Sequence, residues 1–336
     1  DSWEDVQKDF QFEDVTLAYT VSSNLNIIMN QESADKLFSG SQYSLNDVID
    51  MHYKQRIKSF NLQTKLRFRG VFKEREFISP NVIGMIKGSD PELKKTYLIV
   101  TAHYDHLGVG EPVNDDSIYN GALDNAIGVS VLLELAKAFS SLEIKPKRSI
   151  IFFATTGEEK GLLGSSYYTN NPLVPLHKTI ANVNIDGIAM FKDFSSMVGI
   201  GSELSTLDKF LQNTADNYNL ELQNIPPQFK QVGAFNNSDQ LSFAQAGIPS
   251  IIVLEGTKNT TKTEDEVMEA FIEYFVYNYH SPFDDLNQDV DYKAAEKHAK
   301  ILFDFCFRLA DSNNIPEWKP GAPFINARLQ SIAEEK

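Results

Sequence analysis

Two short runs of apolar residues are each followed at once by ionisable side chains. Residues 97–102 lead directly into His103, and residues 149–154 are followed four positions later by Glu158 and Glu159. A stretch with helical periodicity separates the runs, as expected of buried parallel strands joined by a crossover helix. Because open α/β sheets carry their sites at the carboxyl ends of parallel strands, this arrangement predicts a functional site at one edge of such a sheet.

From residue 80 onward the pattern alternates between strands and helices. Strands are predicted at residues 82–85, 97–102, 149–154, 180–185, 196–200 and 248–254, and helices at 125–140, 162–170, 204–218, 240–246 and 292–310. The first two strands are expected to pair with each other. This alternation predicts a three-layer α/β/α fold with a mostly parallel mixed sheet.

Three other parts of the chain differ from this pattern. Residues 1–79 contain two short helical segments, 33–38 and 45–53, and an alternating segment, 62–72, which together predict a small α+β appendage. Residues 257–279 are aromatic-rich and helical, and we interpret them as an insertion near the site. Residues 316–336 are expected to be a surface extension.

The composition describes a globular protein with a sizeable core, since 42% of the 336 residues are hydrophobic. The formal net charge of −15 argues against nucleic acid and anionic membranes as partners. The one cysteine, Cys306, cannot form an intramolecular disulfide. No apolar run reaches the roughly 18 residues of a membrane-spanning helix.

Five candidate metal ligands lie at predicted strand ends or on loops: His103, Asp124, Glu159, Asp186 and His280. Imidazole and carboxylate groups are ligands that catalytic zinc uses, and five are too many for one such ion. The set therefore predicts two metals that share a carboxylate. Glu158, beside a ligand, is a candidate for proton transfer. Asp105 is expected to accept the ring N–H of His103, and Asp284 that of His280.

Each of these residues, taken alone, has an ordinary structural interpretation. Asp124 could cap the helix that follows it, and paired glutamates such as Glu158 and Glu159 often begin a solvated helix. The metal-site hypothesis depends on all five candidates falling at strand ends or on adjoining loops.

The candidate residues lie in five segments: His103-Tyr104-Asp105, Tyr119-Asn120-Gly121-Ala122-Leu123-Asp124-Asn125, Glu158-Glu159-Lys160-Gly161-Leu162-Leu163-Gly164-Ser165, Asn184-Ile185-Asp186-Gly187 and Tyr279-His280-Ser281-Pro282-Phe283-Asp284. These segments resemble the co-catalytic zinc aminopeptidases of metallopeptidase clan MH, which include bacterial leucyl aminopeptidases, glutamate carboxypeptidase and the transferrin receptor. The resemblance covers about residues 80–320 and implies the zinc exopeptidase fold for them. Residues 1–79 resemble the latter part of a protease-associated domain, and residues 321–336 form a C-terminal tail.

The resemblance implies a role for each candidate. His103 and Asp186 would bind one zinc ion, Glu159 and His280 the other, and Asp124 would bridge the two. Glu158 would be the general acid/base that works with a metal-bridging hydroxide. The implied activity is a di-zinc aminopeptidase that acts on peptides with a free N-terminus, in a location outside the cytoplasm.

One position departs from the family pattern. Members of this branch often have Ser-Asp-His where this chain has Ser238-Asp239-Gln240, so Gln240 replaces a histidine in a loop expected to line the substrate pocket. His106 lies close to the predicted site but has no role in the pattern.

Other functions remain open on the sequence. They are a carboxypeptidase or dipeptidase on the same site, a one-zinc cyclising transferase, and a non-catalytic binding module. A carboxypeptidase would need a cationic group for the substrate carboxylate. Arg148 and Arg308 fall at a predicted strand start and in a helix, and no cluster of arginines lies near the site motifs.

Overall fold

A computed structural model of the chain describes residues 3, 7, 10–18, 27–67, 69, 71, 73–188, 193–225 and 233–333. The chain divides into two compact units, residues 1–11 with 16–78, and residues 12–15 with 79–336. Within the described ranges, none of the helices has both the length and the apolar character needed to cross a membrane.

Two complete helices lie within the described residues of the smaller unit, α1 (Gln31–Leu37) and α2 (Leu45–Tyr53). Helix α2 begins with a capping box in which Ser44 and Asp47 satisfy each other's backbone amides. The strand predicted at 62–72 is absent from its described residues, and Phe68, Gly70 and Phe72 lie outside them. Residues 62–67 are almost all exposed, so their alternation corresponds to no buried face in the described part of this unit.

The larger unit contains nine strands and seven helices among the described residues. The strands are β1 (Val82–Ile86), β2 (Tyr97–His103), β3 (Gly108–Val113), β4 (Asp116–Tyr119), β5 (Ser149–Thr155), β6 (Thr179–Asn184), β7 (Ser196–Ile200), β8 (Glu221–Leu222) and β9 (Ser250–Glu255). The helices are α3 (Ile127–Ser141), α4 (Leu163–Asn170), α5 (Leu207–Asn217), α6 (Gln240–Gln245), α7 (Glu264–Glu273), α8 (Tyr292–Asp311) and α9 (Ile325–Ala333).

Seven strands form one mixed sheet in the order β1-β5-β2-β6-β9-β7-β8, and β3 and β4 form a separate hairpin. Strand β2 pairs in parallel with both β5 and β6, and β6 pairs in parallel with β9. The predicted pairing of β1 with β2 is wrong, because β5 lies between them and pairs antiparallel with β1. Strand β1 is partly exposed, as suits a sheet edge, whereas the fully buried β2 needs neighbours on both sides.

Helices cover both faces of the sheet, which confirms the three-layer prediction. On one face Leu98, Val100 and other strand residues pack with apolar side chains of α3, α5 and α8. On the other face Ile99 packs with Tyr168 of α4 and Phe243 of α6. Successive side chains of β2 therefore enter opposite cores, which explains why this strand is apolar without interruption.

The described end of the chain, from residue 316, lies at the surface but is attached to the larger unit, and helix α9 has no buried residue. Trp318 is buried and its indole N–H donates to the carbonyl of Gly247. Arg328 of α9 donates to the carbonyls of Leu176 and Thr179. The carbonyls of Gly247, Leu176 and Thr179 thus bind donors of this segment, and the sequence of the segment does not indicate these contacts.

Candidate metal centre

The site lies where β2, β5 and β6 end side by side. His103 is the last residue of β2, Glu158 and Glu159 follow β5, and Asp186 follows β6. The chain crosses from β5 to β6 over the central β2, so the polar residues after all three strands meet at one edge of the sheet.

The buried imidazole of His103 is oriented by the backbone of Asp105. Its Nδ1 lies 3.1 Å from the Asp105 carbonyl oxygen, whereas the Asp105 carboxylate is 4.0 Å away. A carbonyl can only accept, so Nδ1 carries a proton and Nε2 is the nitrogen that faces the site. The carboxylate contact that we predicted for Asp105 is therefore replaced by a carbonyl contact.

The carboxylate of Asp105 holds the segment that follows β5. It accepts the backbone N–H groups of Glu158 at 3.2 Å and of Glu159 at 3.3 Å. Asp105 thus fixes the position of the two adjacent glutamates relative to β2.

Asp124 lies in an irregular turn, Ala122–Ala126, before helix α3, and the peptide bond from Asp124 to Asn125 is cis. The buried carboxylate of Asp284 accepts the backbone N–H groups of Leu123 at 2.9 Å and Asp124 at 3.0 Å. Asp284 therefore positions the Asp124 turn, and the structure shows no contact with the His280 ring of the kind we predicted for it. Asn125 ties this turn to β6, since its amide donates to the carbonyl of Ile185 at 2.8 Å.

The five predicted ligands come together in a continuous series with Asp124 at its centre. Nε2 of His103 lies 3.4 Å from Asp186 Oδ1 and 3.1 Å from Asp124 Oδ1. Nε2 of His280 lies 3.3 Å from Asp124 Oδ2 and 3.2 Å from Glu159 Oε2. Each oxygen of Asp124 thus faces a different imidazole, which is the arrangement expected of a carboxylate that bridges two cations.

Both imidazole nitrogens that face the site are buried and make no hydrogen bond to a described residue. Buried polar atoms without partners are uncommon, and a coordinated ion would satisfy both. Imidazole and carboxylate donors in this number suit zinc. His103, Asp124 and Glu159 each offer a ligand atom within 4.8 Å of the others, so the donor set fits a metal centre.

The five candidate ligands, His103, Asp124, Glu159, Asp186 and His280, are called the cage below. Without a cation, the charges of its carboxylates strongly shift the pKa values of its imidazoles. Burial acts to lower the pKa of His280, but the carboxylates of Asp124 and Glu159 outweigh it and raise the pKa to about 10. Burial likewise opposes a raised pKa at His103, where Asp124 and Asp186 prevail. The two imidazoles in turn hold the pKa of Asp124 below its ordinary value, against the effect of burial. The carboxylates thus create a negative potential at the site. In the metal-free chain, protons on the two imidazoles compensate this potential.

Glu158 differs from its neighbour Glu159. Burial raises the pKa of Glu158 well above its ordinary value, and the charges of Asp186 and Asp239 add to the effect. Among the residues that the structure describes, none hydrogen-bonds the Glu158 carboxylate, whereas Glu159 meets both His106 and His280. A carboxyl group with a raised pKa and no fixed partner is suited to proton transfer.

His106 belongs to the site, although the sequence pattern assigned it no role. Its Nδ1 lies 2.7 Å from Oε1 of Glu159, and its ring meets the ring of His280 edge-on. Its position three residues after His103 was the one sequence signal that could have indicated this contact. The sequence could not show which way the loop after β2 turns.

An apolar cavity of about 120 Å³ opens beside Asp124 and Asp186. It is lined by strand residues Val198, Ile200 and Leu254, by Phe271 of α7, and by Phe275 and Tyr279, which follow α7. The predicted insertion at 257–279 thus forms one wall of the cavity. None of the described lining residues is Lys or Arg.

Gln240 is fully buried and is absent from the described residues that line this cavity. Its carbonyl oxygen accepts from Asn184 at 2.9 Å, and its amide donates to the Phe235 carbonyl at 2.8 Å. Asn184 also bonds Thr101 at 2.6 Å, two residues before His103. Gln240 therefore supports the sheet behind the candidate ligands, and the expected role of its loop in lining a substrate pocket stays a prediction.

The sequence and the fold were compared with known proteins. The chain is 26% identical over 248 residues to Aminopeptidase YwaD of Bacillus subtilis, a match that covers 73% of this chain and 48% of that protein. It is 28% identical over 269 residues to Aminopeptidase NAALADL1 of Mus musculus, covering 71% of this chain and 32% of that protein. The chain thus spans half or less of the length of these curated relatives.

Among solved structures, the fold matches BSAP, a zinc aminopeptidase from Bacillus subtilis. The TM-score is 0.51 at 22% identity, with 74% of this chain and 53% of that chain covered. The family model described as Peptidase family M28 matches residues 81–306, which is well over half of the chain. This span contains every strand of the mixed sheet and all five residues of the cage, and the chain belongs to peptidase family M28.

Proposed function

We propose that this chain is a di-zinc aminopeptidase that removes the first residue of peptides. The observation that carries the proposal is the position of Asp124, with one oxygen 3.1 Å from the His103 imidazole and the other 3.3 Å from the His280 imidazole. His103 and Asp186 would hold one zinc ion, Glu159 and His280 the other, and Asp124 both. Zinc ions held there would polarise the scissile carbonyl and acidify water at neutral pH.

The chain's own residues supply proton transfer. Glu158 would take a proton from the attacking water on its carboxylate and donate it to the departing amine nitrogen. Burial raises the pKa of this carboxyl group towards neutral pH, and a group with such a pKa can both accept and donate a proton. The Asp105 carboxylate would keep Glu158 in place through its backbone amide.

The cavity beside the cage would accept the side chain of the first residue. Its apolar walls favour a large apolar side chain, because burial of such a group is worth about 1.5–3 kcal/mol. The surplus of carboxylates around the cage would favour the free α-ammonium group of the substrate. The lack of Lys and Arg among the described lining residues disfavours a carboxypeptidase, which must bind a free carboxylate.

The test is a zinc count combined with a substrate panel. We expect two zinc ions per chain and hydrolysis of leucyl and phenylalanyl chromogenic amides, with loss of activity on chelation and recovery with added zinc. The N-acetylated forms of the same amides should not be cleaved. Cleavage of acetylated peptides from their C-terminal end, or full activity after exhaustive chelation, would contradict the proposal.

Two further features of the resemblance remain predictions. We propose residues 1–79 as the latter part of a protease-associated domain, and a location outside the cytoplasm. Support for both comes from the sequence resemblance alone.

A further inference from the structure

His106 is as deeply buried as the residues of the cage. Its side chain is 7% exposed, and its Nδ1 lies 2.7 Å from Oε1 of Glu159, whose side chain is 5% exposed. The second oxygen of Glu159, Oε2, lies 3.2 Å from Nε2 of His280. The Glu159 carboxylate is therefore held between two imidazoles, with one oxygen facing each ring.

The contact with Glu159 is the one polar contact of the His106 side chain among the described residues. Its other nitrogen, Nε2, is buried and has no hydrogen-bond partner in that part of the chain. Buried polar atoms are nearly always paired. A buried histidine with a purely structural role would therefore be expected to form hydrogen bonds through both ring nitrogens. The described structure therefore gives the ring one polar role, its contact with Glu159.

The surroundings of His106 fix the orientation of its ring. Gly121 lies against it with φ +66, and a Cβ atom at that position would come within 2.5 Å of His106 Cγ. The ring of His280 packs edge-on at a centroid distance of 5.7 Å. With the backbone of Gly121 on one side and His280 on the other, Nδ1 is directed at Glu159.

We propose that His106 is a positioning residue for the metal ion that Glu159 and His280 would share. By donating to Oε1, it presents Oε2 alone to that ion and limits rotation of the carboxylate. Partners of this kind orient ligands and change metal affinity by about 10–100-fold. The inference rests on the proposed two-zinc function, and it concerns one of the two ions.

The test uses the full chain with His106→Leu and His106→Asn. The Asn side chain can place an N–H donor near the position of Nδ1, and Leu has a similar size without a donor. Zinc affinities are measured by competition with a chromophoric chelator, and the cobalt(II)-loaded proteins are compared by absorption spectroscopy. For His106→Leu we expect one ion to bind about 10–100-fold more weakly and the other unchanged. His106→Asn should recover most of the lost affinity and the wild-type cobalt spectrum.

Two results would overturn the inference. The first is unchanged affinity for both ions in His106→Leu, and the second is equal weakening of both ions in both variants with a matching fall in melting temperature. Failure of the proposed function would look different, because wild-type protein would then bind fewer than two ions. In that case the metal affinities of His106→Leu and Glu159→Ala are compared. The His106 inference holds only if both variants weaken binding of the same ion.

Discussion

Asp105 holds His103 with its backbone carbonyl, at 3.1 Å from Nδ1, while its carboxylate accepts the backbone amides of Glu158 and Glu159. One residue therefore orients the candidate ligand at the end of β2 and positions the two glutamates that follow β5. Because the carbonyl belongs to the backbone, the two tasks can be separated by mutation.

We expect Asp105→Ala to retain the zinc ion at His103 and to lower kcat by about 10–100-fold, because Glu158 loses the acceptor that holds its amide. Asp105→Asn keeps one acceptor oxygen and should be less impaired. Zinc content and kcat of the two variants are compared with those of His103→Ala. If Asp105→Ala loses zinc as completely as His103→Ala, the separation of the two tasks is wrong.

Asp284 positions Asp124, the proposed bridging ligand, through hydrogen bonds to the backbone. Its buried carboxylate accepts the amides of Leu123 and Asp124 and the side-chain amide of Gln288. Asp284→Ala should lower the free energy of unfolding by about 2–4 kcal/mol, since it leaves buried donors unpaired, and should also weaken zinc binding. Asp285→Ala, at the next position, removes a carboxylate that bonds only Asn287 among the described residues and should cost less than about 0.5 kcal/mol. Urea unfolding of both variants measures the difference, and equal losses would argue against this role of Asp284.

Glu158 is separable from the metal ligands. Glu158→Gln keeps the size of the side chain but cannot exchange a proton, so we expect zinc content to be unchanged and kcat to fall by about 10²–10⁴-fold. Glu134→Gln, an exposed change on α3, is the control. Near-normal turnover in Glu158→Gln would refute the assignment of the proton carrier.

That the five proposed ligands lie close together could be predicted from the sequence, because each lies at a predicted strand end or on an adjoining loop. Apolar runs such as residues 97–102 mark buried strands, and the carboxyl ends of parallel strands meet at one edge. The strand order was less accessible, because nothing local in β1 shows that it pairs with β5. The supporting contacts of Asp105 and Asp284 were misjudged for a related reason. They depend on backbone groups and on loop directions that side-chain spacing does not reveal.

Two aromatic residues that follow α7, Phe275 and Tyr277, differ in their position relative to the apolar cavity. Phe275 lines the cavity, whereas the nearby Tyr277 is not among its described lining residues and is 66% exposed. Phe275→Ala should raise KM for phenylalanyl and leucyl substrates by about 5–30-fold, because it removes apolar contact area worth about 1–2 kcal/mol, with little change for alanyl substrates. Tyr277→Ala should leave all three unchanged. Equal effects on alanyl and phenylalanyl substrates would show that this cavity does not receive the first side chain.

His298 of α8 should make the stability of the chain depend on pH. It is buried, Nε2 lies 2.9 Å from the Val253 carbonyl, and burial lowers the pKa of His298 to about 4. In the unfolded chain the pKa of histidine is about 6.5, so between about pH 6.5 and pH 4 the unfolded state binds the extra proton. The stability contributed by the neutral ring is therefore complete above about pH 6.5 and is lost as the pH falls towards 4, by about 3 kcal/mol in all.

His298→Gln can keep the donor to Val253 but cannot take up a proton. Carboxylates elsewhere in the chain also titrate in this range, so the informative quantity is the difference between the two proteins. Urea unfolding at pH 7.5, 6, 5 and 4, with zinc removed from both, should show a steeper loss of unfolding free energy for wild type than for His298→Gln. Parallel curves would mean that the pKa of His298 is the same in the folded and the unfolded chain, so that its burial against Val253 does not exclude the charge.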